Sequence, residues 1–83
     1  LMARRLKAAR WAYDEKAANV AVAVGITPQL LSKYENGKIY ADEMFLVNFA
    51  ELTGCPLDWI FLGKITSEMP PAMAVRIALF DRG

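Results

Sequence analysis

The sequence predicts an all-α fold with five short helices followed by a C-terminal helix. Apolar residues recur at spacings of three and four along most of the 83-residue chain, as they do on the buried faces of helices. Glycine, proline or a capping residue stands at most points where such a stripe begins or ends. The alternating valines and alanines of residues 20–24 also fit a strand, but they lie within a stripe of helical spacing. The length suits a single compact domain.

Two helices occupy the first part of the chain. Residues 1–12 predict the first, whose stripe consists of Met2, Leu6, Ala9 and the following Tyr13. Residues 15–24 predict the second. Asp14 is placed to cap it, because an aspartate carboxylate can accept the unpaired amide groups at a helix N-terminus.

A tight turn leads from the second helix to a third helix over residues 29–35. Gly25 is expected to end the second helix, since glycine readily adopts the left-handed conformation found just past a helix end. Thr27 is a suitable N-cap, and Pro28 suits the first helical position. The Asn-Gly turn at residues 36–37 ends the third helix.

The remainder of the chain predicts three more helices, over residues 43–53, 56–62 and 71–80. Asp42 is expected to cap the fourth. Arg76 is the only charged residue of the sixth between residues 72 and 80, so that helix must cover a largely apolar surface.

These elements predict a domain over residues 1–63 and a loop with a C-terminal helix over residues 64–83. The last helix either ties itself to the domain or builds a homodimer. Its face for this contact consists of Met73, Ile77 and Phe80, with Trp59 or Phe61 as further candidates.

Residues 17–36 meet the requirements of a helix-turn-helix, in which a tight turn holds two short helices at a steep angle. Ala21 supplies the small residue where the helices approach, and Gly25 supplies the turn. Apolar anchors for the crossing angle are Val20, Val24, Ile26, Leu31 and Tyr34.

Residues 25–38, Gly-Ile-Thr-Pro-Gln-Leu-Leu-Ser-Lys-Tyr-Glu-Asn-Gly-Lys, resemble the turn, recognition helix and following loop of the XRE family of Cro/cI phage-type repressors. Leu-Asp-Trp-Ile at residues 57–60, followed by Gly63, is similar to that family's fifth helix. The resemblance extends from about residue 6 to residue 63. It implies a lambda-repressor-like fold and a cytoplasmic, homodimeric, repressor-like transcriptional regulator of phage or prokaryotic origin that binds double-stranded DNA.

The resemblance also implies roles for individual residues. Gln29 and Lys33 correspond to residues that contact base edges, and a glutamine amide can bond to adenine through two hydrogen bonds. Contacts with the DNA backbone are implied for Thr27, Pro28, Ser32, Asn36 and Lys38. Arg10 and Glu35 correspond to a structural ion pair between the first helix and the end of the recognition helix.

Two departures from the family pattern leave other functions open. Ala17 stands near the start of the second helix where the family often has a phosphate-binding glutamine, and the often basic loop reads Ile-Tyr-Ala-Asp-Glu at residues 39–43. Fewer phosphate contacts predict weak or dimer-dependent DNA binding. One alternative is therefore an antitoxin-like or adaptor module that binds a protein partner. Another is a ligand-sensing regulator whose effector domain lies outside these residues.

Charge and composition exclude several other classes. The net charge is only +1, but residues 1–38 carry seven basic against three acidic residues, whereas residues 39–83 carry three against six. No histidine and one cysteine leave almost no ligands for zinc or haem and no cysteine–histidine pair for catalysis. The sequence therefore predicts no enzyme, metal or cofactor, and no stretch long and apolar enough to cross a membrane.

Overall fold

The computed structural model describes residues 2–82, in which all regular secondary structure is helical, and this confirms the predicted fold class. The helices are α1 (Met2–Tyr13), α2 (Ala17–Val24), α3 (Pro28–Glu35), α4 (Glu43–Thr53), α5 (Leu57–Leu62) and α6 (Pro71–Arg82). The predicted start of the first helix at Leu1 lies outside the described residues. The longest helices within 2–82 have 12 residues, too few to cross the hydrocarbon core of a bilayer.

α1 is the central helix of the fold and contacts each of the other five. Leu6 and Ala9 are buried as predicted, but the prediction that Tyr13 shares their buried face is wrong, since 46% of Tyr13 is exposed. Ala8 and Ala12 are buried instead. Alanine is small enough to let neighbouring helices approach α1 from several sides. The buried surface of α1 is therefore wider than one stripe of residues.

The predicted beginning of α2 is also wrong. Asp14 does not cap a helix from residue 15, because α2 begins at Ala17 with Lys16 as its N-cap residue. The Asp14 carboxylate accepts hydrogen bonds from the Lys16 backbone N–H at 2.8 Å and from the Asn19 side-chain amide at 3.0 Å. An aspartate that binds the amide two residues ahead closes a turn before the helix starts. This backbone hydrogen bond, together with the bond from Asn19, lowers the pKa of Asp14.

The valine-rich segment is helical because its burial outweighs its weak helix propensity. Val20, Ala21 and Val24 are buried, and α2 contacts α1, α3 and α4. Each valine costs roughly 0.5 kcal/mol relative to alanine in a helix, whereas burying a valine side chain contributes about 1.5–3 kcal/mol. The strand alternative for residues 20–24 is therefore wrong.

α6 packs on α1 through an apolar face and one arginine. Met73 and Ile77 are buried, and Arg76 donates an Nε hydrogen bond to the Ala12 carbonyl oxygen at 2.9 Å. The Arg76 guanidinium also lies 4.6 Å from the centre of the Trp11 ring. A cation is favourable beside the last carbonyl groups of a helix. Within residues 2–82, this face of α6 is therefore directed at α1.

Gly63 ends α5 with a φ of +73°, and a Cβ there would lie 3.0 Å from the Arg5 guanidinium. That guanidinium donates a hydrogen bond to the Phe61 carbonyl oxygen at 2.9 Å. We expect Gly63→Ala to lower the free energy of unfolding by about 2 kcal/mol, through left-handed backbone strain and a weakened hydrogen bond. Urea denaturation followed by circular dichroism measures the change.

Gly25→Ala is the matched control, because Gly25 has a φ of +78° but no described heavy atom within 4 Å of an added Cβ. It should cost about 1 kcal/mol from backbone strain alone. Equal losses in the two variants would contradict a role for the Arg5 contact at the end of α5.

Candidate nucleic-acid interface

Only residues 25–27 connect α2 to α3. The N–H groups of Gly25 and Ile26 bond back to carbonyl oxygens in the last turns of α2, at 3.1 and 3.0 Å. The Thr27 hydroxyl oxygen accepts the Leu30 N–H in the first turn of α3 at 3.1 Å, which confirms the predicted N-cap. Ala21 is fully buried where the two helices meet. The connection therefore leaves the two helices little freedom to change their crossing angle.

α3 has one polar, exposed face and one buried face. The exposed side chains on the polar face are Gln29, Ser32, Lys33 and Asn36, and the buried ones are Leu31, Tyr34 and Glu35. The exposed residues are spaced by three, four and seven, so they project from the same side of the helix. The Asn36 amide donates a hydrogen bond to the Ser32 hydroxyl oxygen at 3.1 Å, which joins two of these side chains.

Aromatic packing fixes the buried face of α3 against α4. The rings of Tyr34 and Phe45 have centroids 4.8 Å apart in a tilted arrangement, a favourable geometry for an aromatic pair. The Tyr34 hydroxyl group donates to Asp42 at 3.4 Å, and Asp42 also caps α4 by accepting the Phe45 N–H at 2.8 Å. Because α3 cannot rotate about its axis without breaking these contacts, its polar face keeps one direction.

Arg10 connects α1 to the end of α3. Its Nε and one terminal nitrogen donate to the two carboxylate oxygens of Glu35 at 2.9 and 3.0 Å, and both side chains are more than 90% buried. Its other terminal nitrogen donates to the Glu15 carbonyl oxygen at 2.7 Å and to that of Asp14 at 3.4 Å. A two-bond arginine–carboxylate pair is both strong and directional. The structure thus brings together the two residues for which the sequence predicts an ion pair.

The residues predicted to contact the DNA backbone lie at both ends of the polar face and, for Ser32, in its middle, and all are exposed. At the N-terminal end, the Thr27 hydroxyl group accepts the capping bond and keeps its own proton to donate. Pro28 has no N–H group, so it can offer only its ring. At the C-terminal end, Lys38 follows Asn36 after one residue. Partial positive charge at the N-terminus of α3 favours an anion there.

Two candidate residues of this interface that the sequence did not predict lie on α1. Arg4 and Lys7 border a surface cavity whose other wall contains Asn36, at the end of the polar face of α3. The excess of basic residues in 1–38 was a signal for such residues. It did not show which of the seven basic side chains lies beside α3, because that depends on how the helices pack.

The two departures from the family pattern are Ala17, at the start of α2, and the segment of residues 39–43 after α3. Ala17 is half-buried and has no polar group to offer a phosphate. In the segment after α3, Tyr40 is 92% exposed, and its exposed neighbours include Ile39 and Met44. The exposed side chains of this segment thus combine the apolar Ile39 and Tyr40 with the carboxylates of Asp42 and Glu43.

The cysteine and the acidic side chains of residues 2–82 bear on nucleophilic and metal chemistry. Burial raises the pKa of the Cys55 thiol to about 12, so this thiol stays protonated at neutral pH. Residues 2–82 contain no group of three or more acidic, histidine or cysteine side chains that could hold a metal ion. The chemistry available on the exposed face of α3 is hydrogen bonding and charge pairing.

Comparison with known proteins supports a family assignment. The model of the helix-turn-helix family matches residues 16–60, more than half of the chain. The match runs from the N-cap of α2 into α5 and includes the turn at Gly25 and all of α3. No curated protein and no solved structure matches the sequence.

Glu35→Ala would leave the buried Arg10 charge without its carboxylate. We expect the free energy of unfolding to fall by about 3–5 kcal/mol, the usual cost of removing one partner from a buried ion pair. Urea denaturation measures the loss.

Asp81→Ala is the control, since it breaks the pair between Arg4 and Asp81, whose side chains are 63% and 55% exposed. That change should cost less than about 1 kcal/mol. If Glu35→Ala cost no more than Asp81→Ala, the buried pair would not be what holds α3 to α1.

Proposed function

Because the chain belongs to the XRE-type helix-turn-helix family, whose members are DNA-binding regulatory domains rather than enzymes, we propose that it is a repressor-like transcriptional regulator that binds double-stranded DNA sequence-specifically. The observation that carries this proposal is the polar face of α3, which is exposed along its whole length while the other side of the helix is buried. An α-helix of this kind fits the width of the DNA major groove. Because prokaryotic DNA lies in the cytoplasm, the proposal includes a cytoplasmic location for this regulator.

Gln29 and Lys33 supply the sequence preference in this proposal. They lie one turn apart on the polar face, and Gln29 is in the first turn of α3, where recognition helices meet base edges. The Gln29 amide has both a donor and an acceptor, which suits the N6 and N7 positions of adenine. The Lys33 ammonium group suits the O6 and N7 acceptors of guanine.

The backbone contacts position this helix on the duplex. Thr27 and Pro28 lie at the start of α3, and Ser32, Asn36 and Lys38 lie along its face or just after its end. The hydrogen bond between Asn36 and Ser32 supports the proposal, because it limits the side-chain freedom that phosphate binding would otherwise have to remove.

We also propose a homodimer, since domains of this kind usually read two half-sites one helical turn, about 34 Å, apart. Met73, Ile77 and Trp59 are buried within the chain and are not available for that contact. Phe61 is half exposed and remains a candidate. Residues 1–63 would form the DNA-binding domain, and residues 64–83 would support it through α1.

A second candidate function is an adaptor that binds another protein. The observation favouring it is a set of exposed apolar side chains in the segment after α3 and on α4, near the place where a basic segment would have added phosphate contacts. Tyr40, Met44 and Val47 are 92%, 69% and 40% exposed. Exposed apolar clusters of this kind mark protein-binding surfaces more often than DNA-binding ones.

Fluorescence anisotropy with a duplex selected by the domain from a randomised pool tests the DNA-binding proposal. At about 50 mM salt, Gln29→Ala and Lys33→Ala should each reduce the preference for the selected duplex over a shuffled one by between about fivefold and about 150-fold. Affinity should fall steeply when the salt is raised to about 200 mM. At saturation, two protomers should bind each duplex.

Lys64→Ala is the control for the lost charge in Lys33→Ala, and it should keep the full preference. A folded chain that binds no duplex at the lower salt would contradict the regulator and leave the adaptor as the better proposal. Binding with a single protomer per duplex would contradict the homodimer alone.

A further inference from the structure

A basic cavity lies between α1 and the end of α3, outside the residues assigned so far to DNA contact. Its volume is about 430 Å³, and it is lined by Ala3, Arg4, Lys7, Glu35, Asn36 and Gly37. Asn36 belongs both to this lining and to the exposed polar face of α3. A duplex that contacts Asn36 would therefore pass the mouth of the cavity.

Two contacts fix the position of Lys7 relative to α3. At one end, α1 approaches the residues after α3 so closely that a Cβ on Gly37 would lie 3.7 Å from the Ala3 Cβ. At the other end, Arg10 is bonded to Glu35. At a rise of 1.5 Å per residue, Lys7 lies about 6 Å along α1 from Ala3 and about 4.5 Å from Arg10. Lys7 thus stands between two anchored points.

The charges around the cavity favour an anion. Glu35 is the one carboxylate in the lining, and its charge is paired with Arg10. Arg4 lies over the Phe80 ring at 5.2 Å and is paired with Asp81 at 3.4 Å. Lys7 is exposed, and among residues 2–82 no carboxylate oxygen lies within 4.0 Å of its ammonium group. The C-terminal end of α3 carries partial negative charge, so a phosphate beside Asn36 needs a nearby cation to offset it.

We propose that Lys7 binds a phosphodiester group of the DNA backbone in this cavity, next to the phosphate contacted by Asn36. The proposal rests on the proposed function and extends the DNA interface from α2 and α3 to α1. The Lys7 ammonium group supplies the charge, and Asn36 lies in the same lining with its side-chain amide. The contact carries no sequence information, because every nucleotide has the same phosphate.

The test compares Lys7→Ala with Lys64→Ala, since each variant loses one positive charge. Ala3, Lys7 and Arg10 mark the side of α1 that faces α3. Arg5 lies about 170° around the α1 axis from their mean direction and contacts the end of α5. Lys64 follows α5, so it lies on the far side of α1 from α3. Anisotropy with the selected duplex at a series of salt concentrations gives the slope of log K against log salt for each variant. Lys7→Arg, which keeps the charge, completes the set.

We expect Lys7→Ala to reduce the magnitude of that slope by about one and to weaken binding roughly tenfold at 50 mM salt, equally for selected and shuffled duplexes. Lys64→Ala should keep the wild-type slope, and Lys7→Arg should restore it. Because Lys7 is exposed, the urea midpoint of Lys7→Ala should equal that of the wild type.

A Lys7→Ala slope equal to that of Lys64→Ala would overturn the proposal while leaving DNA binding intact. Loss of preference for the selected duplex in Lys7→Ala would also overturn it, since that result would indicate a base contact. No binding by the wild-type chain would instead overturn the proposed function itself.

Discussion

One guanidinium group, that of Arg10, joins three segments that must keep their relative positions if α3 is to enter a groove of DNA. It binds both carboxylate oxygens of Glu35 and the carbonyl oxygens of the loop between α1 and α2. Burying two charges is costly, and this pair offsets the cost because its hydrogen-bonding groups are satisfied. Within residues 2–82, no buried side-chain nitrogen or oxygen lacks a hydrogen-bond partner. The direction of the polar face of α3 thus depends on α1, which is also the helix that every other helix contacts.

The separation of charge along the chain has a counterpart in space. Arg4 and Lys7 lie beside the end of α3 and Lys33 lies in its last turn, whereas Glu51, Asp58 and Glu68 line a different cavity beside the connection from α4 to α5. A polyanion would be attracted to the first region and repelled from the second. Such an asymmetry would orient a duplex under the proposed function, even though the net charge is only +1.

The sequence was sufficient to predict the helices, the turn at Gly25 and the polar face of α3, because caps and apolar spacing are local signals. Asp14 was assigned incorrectly because its carboxylate can bind either a helix N-terminus or the amide two residues ahead, and spacing does not distinguish these. Tyr13 was placed on the wrong face because a central helix buries more than one stripe. Lys7 was missed for a different reason: its position beside Asn36 arises from packing between helices distant in sequence.

Amide chemical-shift mapping of the ¹⁵N-labelled chain with the selected duplex tests most directly whether the α3 surface held by Arg10 is the DNA-binding surface. The predicted result is that the largest changes fall on residues 27–38 and on Lys7, including the side-chain amides of Gln29 and Asn36, with little change in α6. Changes centred on residues 39–47 or on α6, with none along α3, would contradict it.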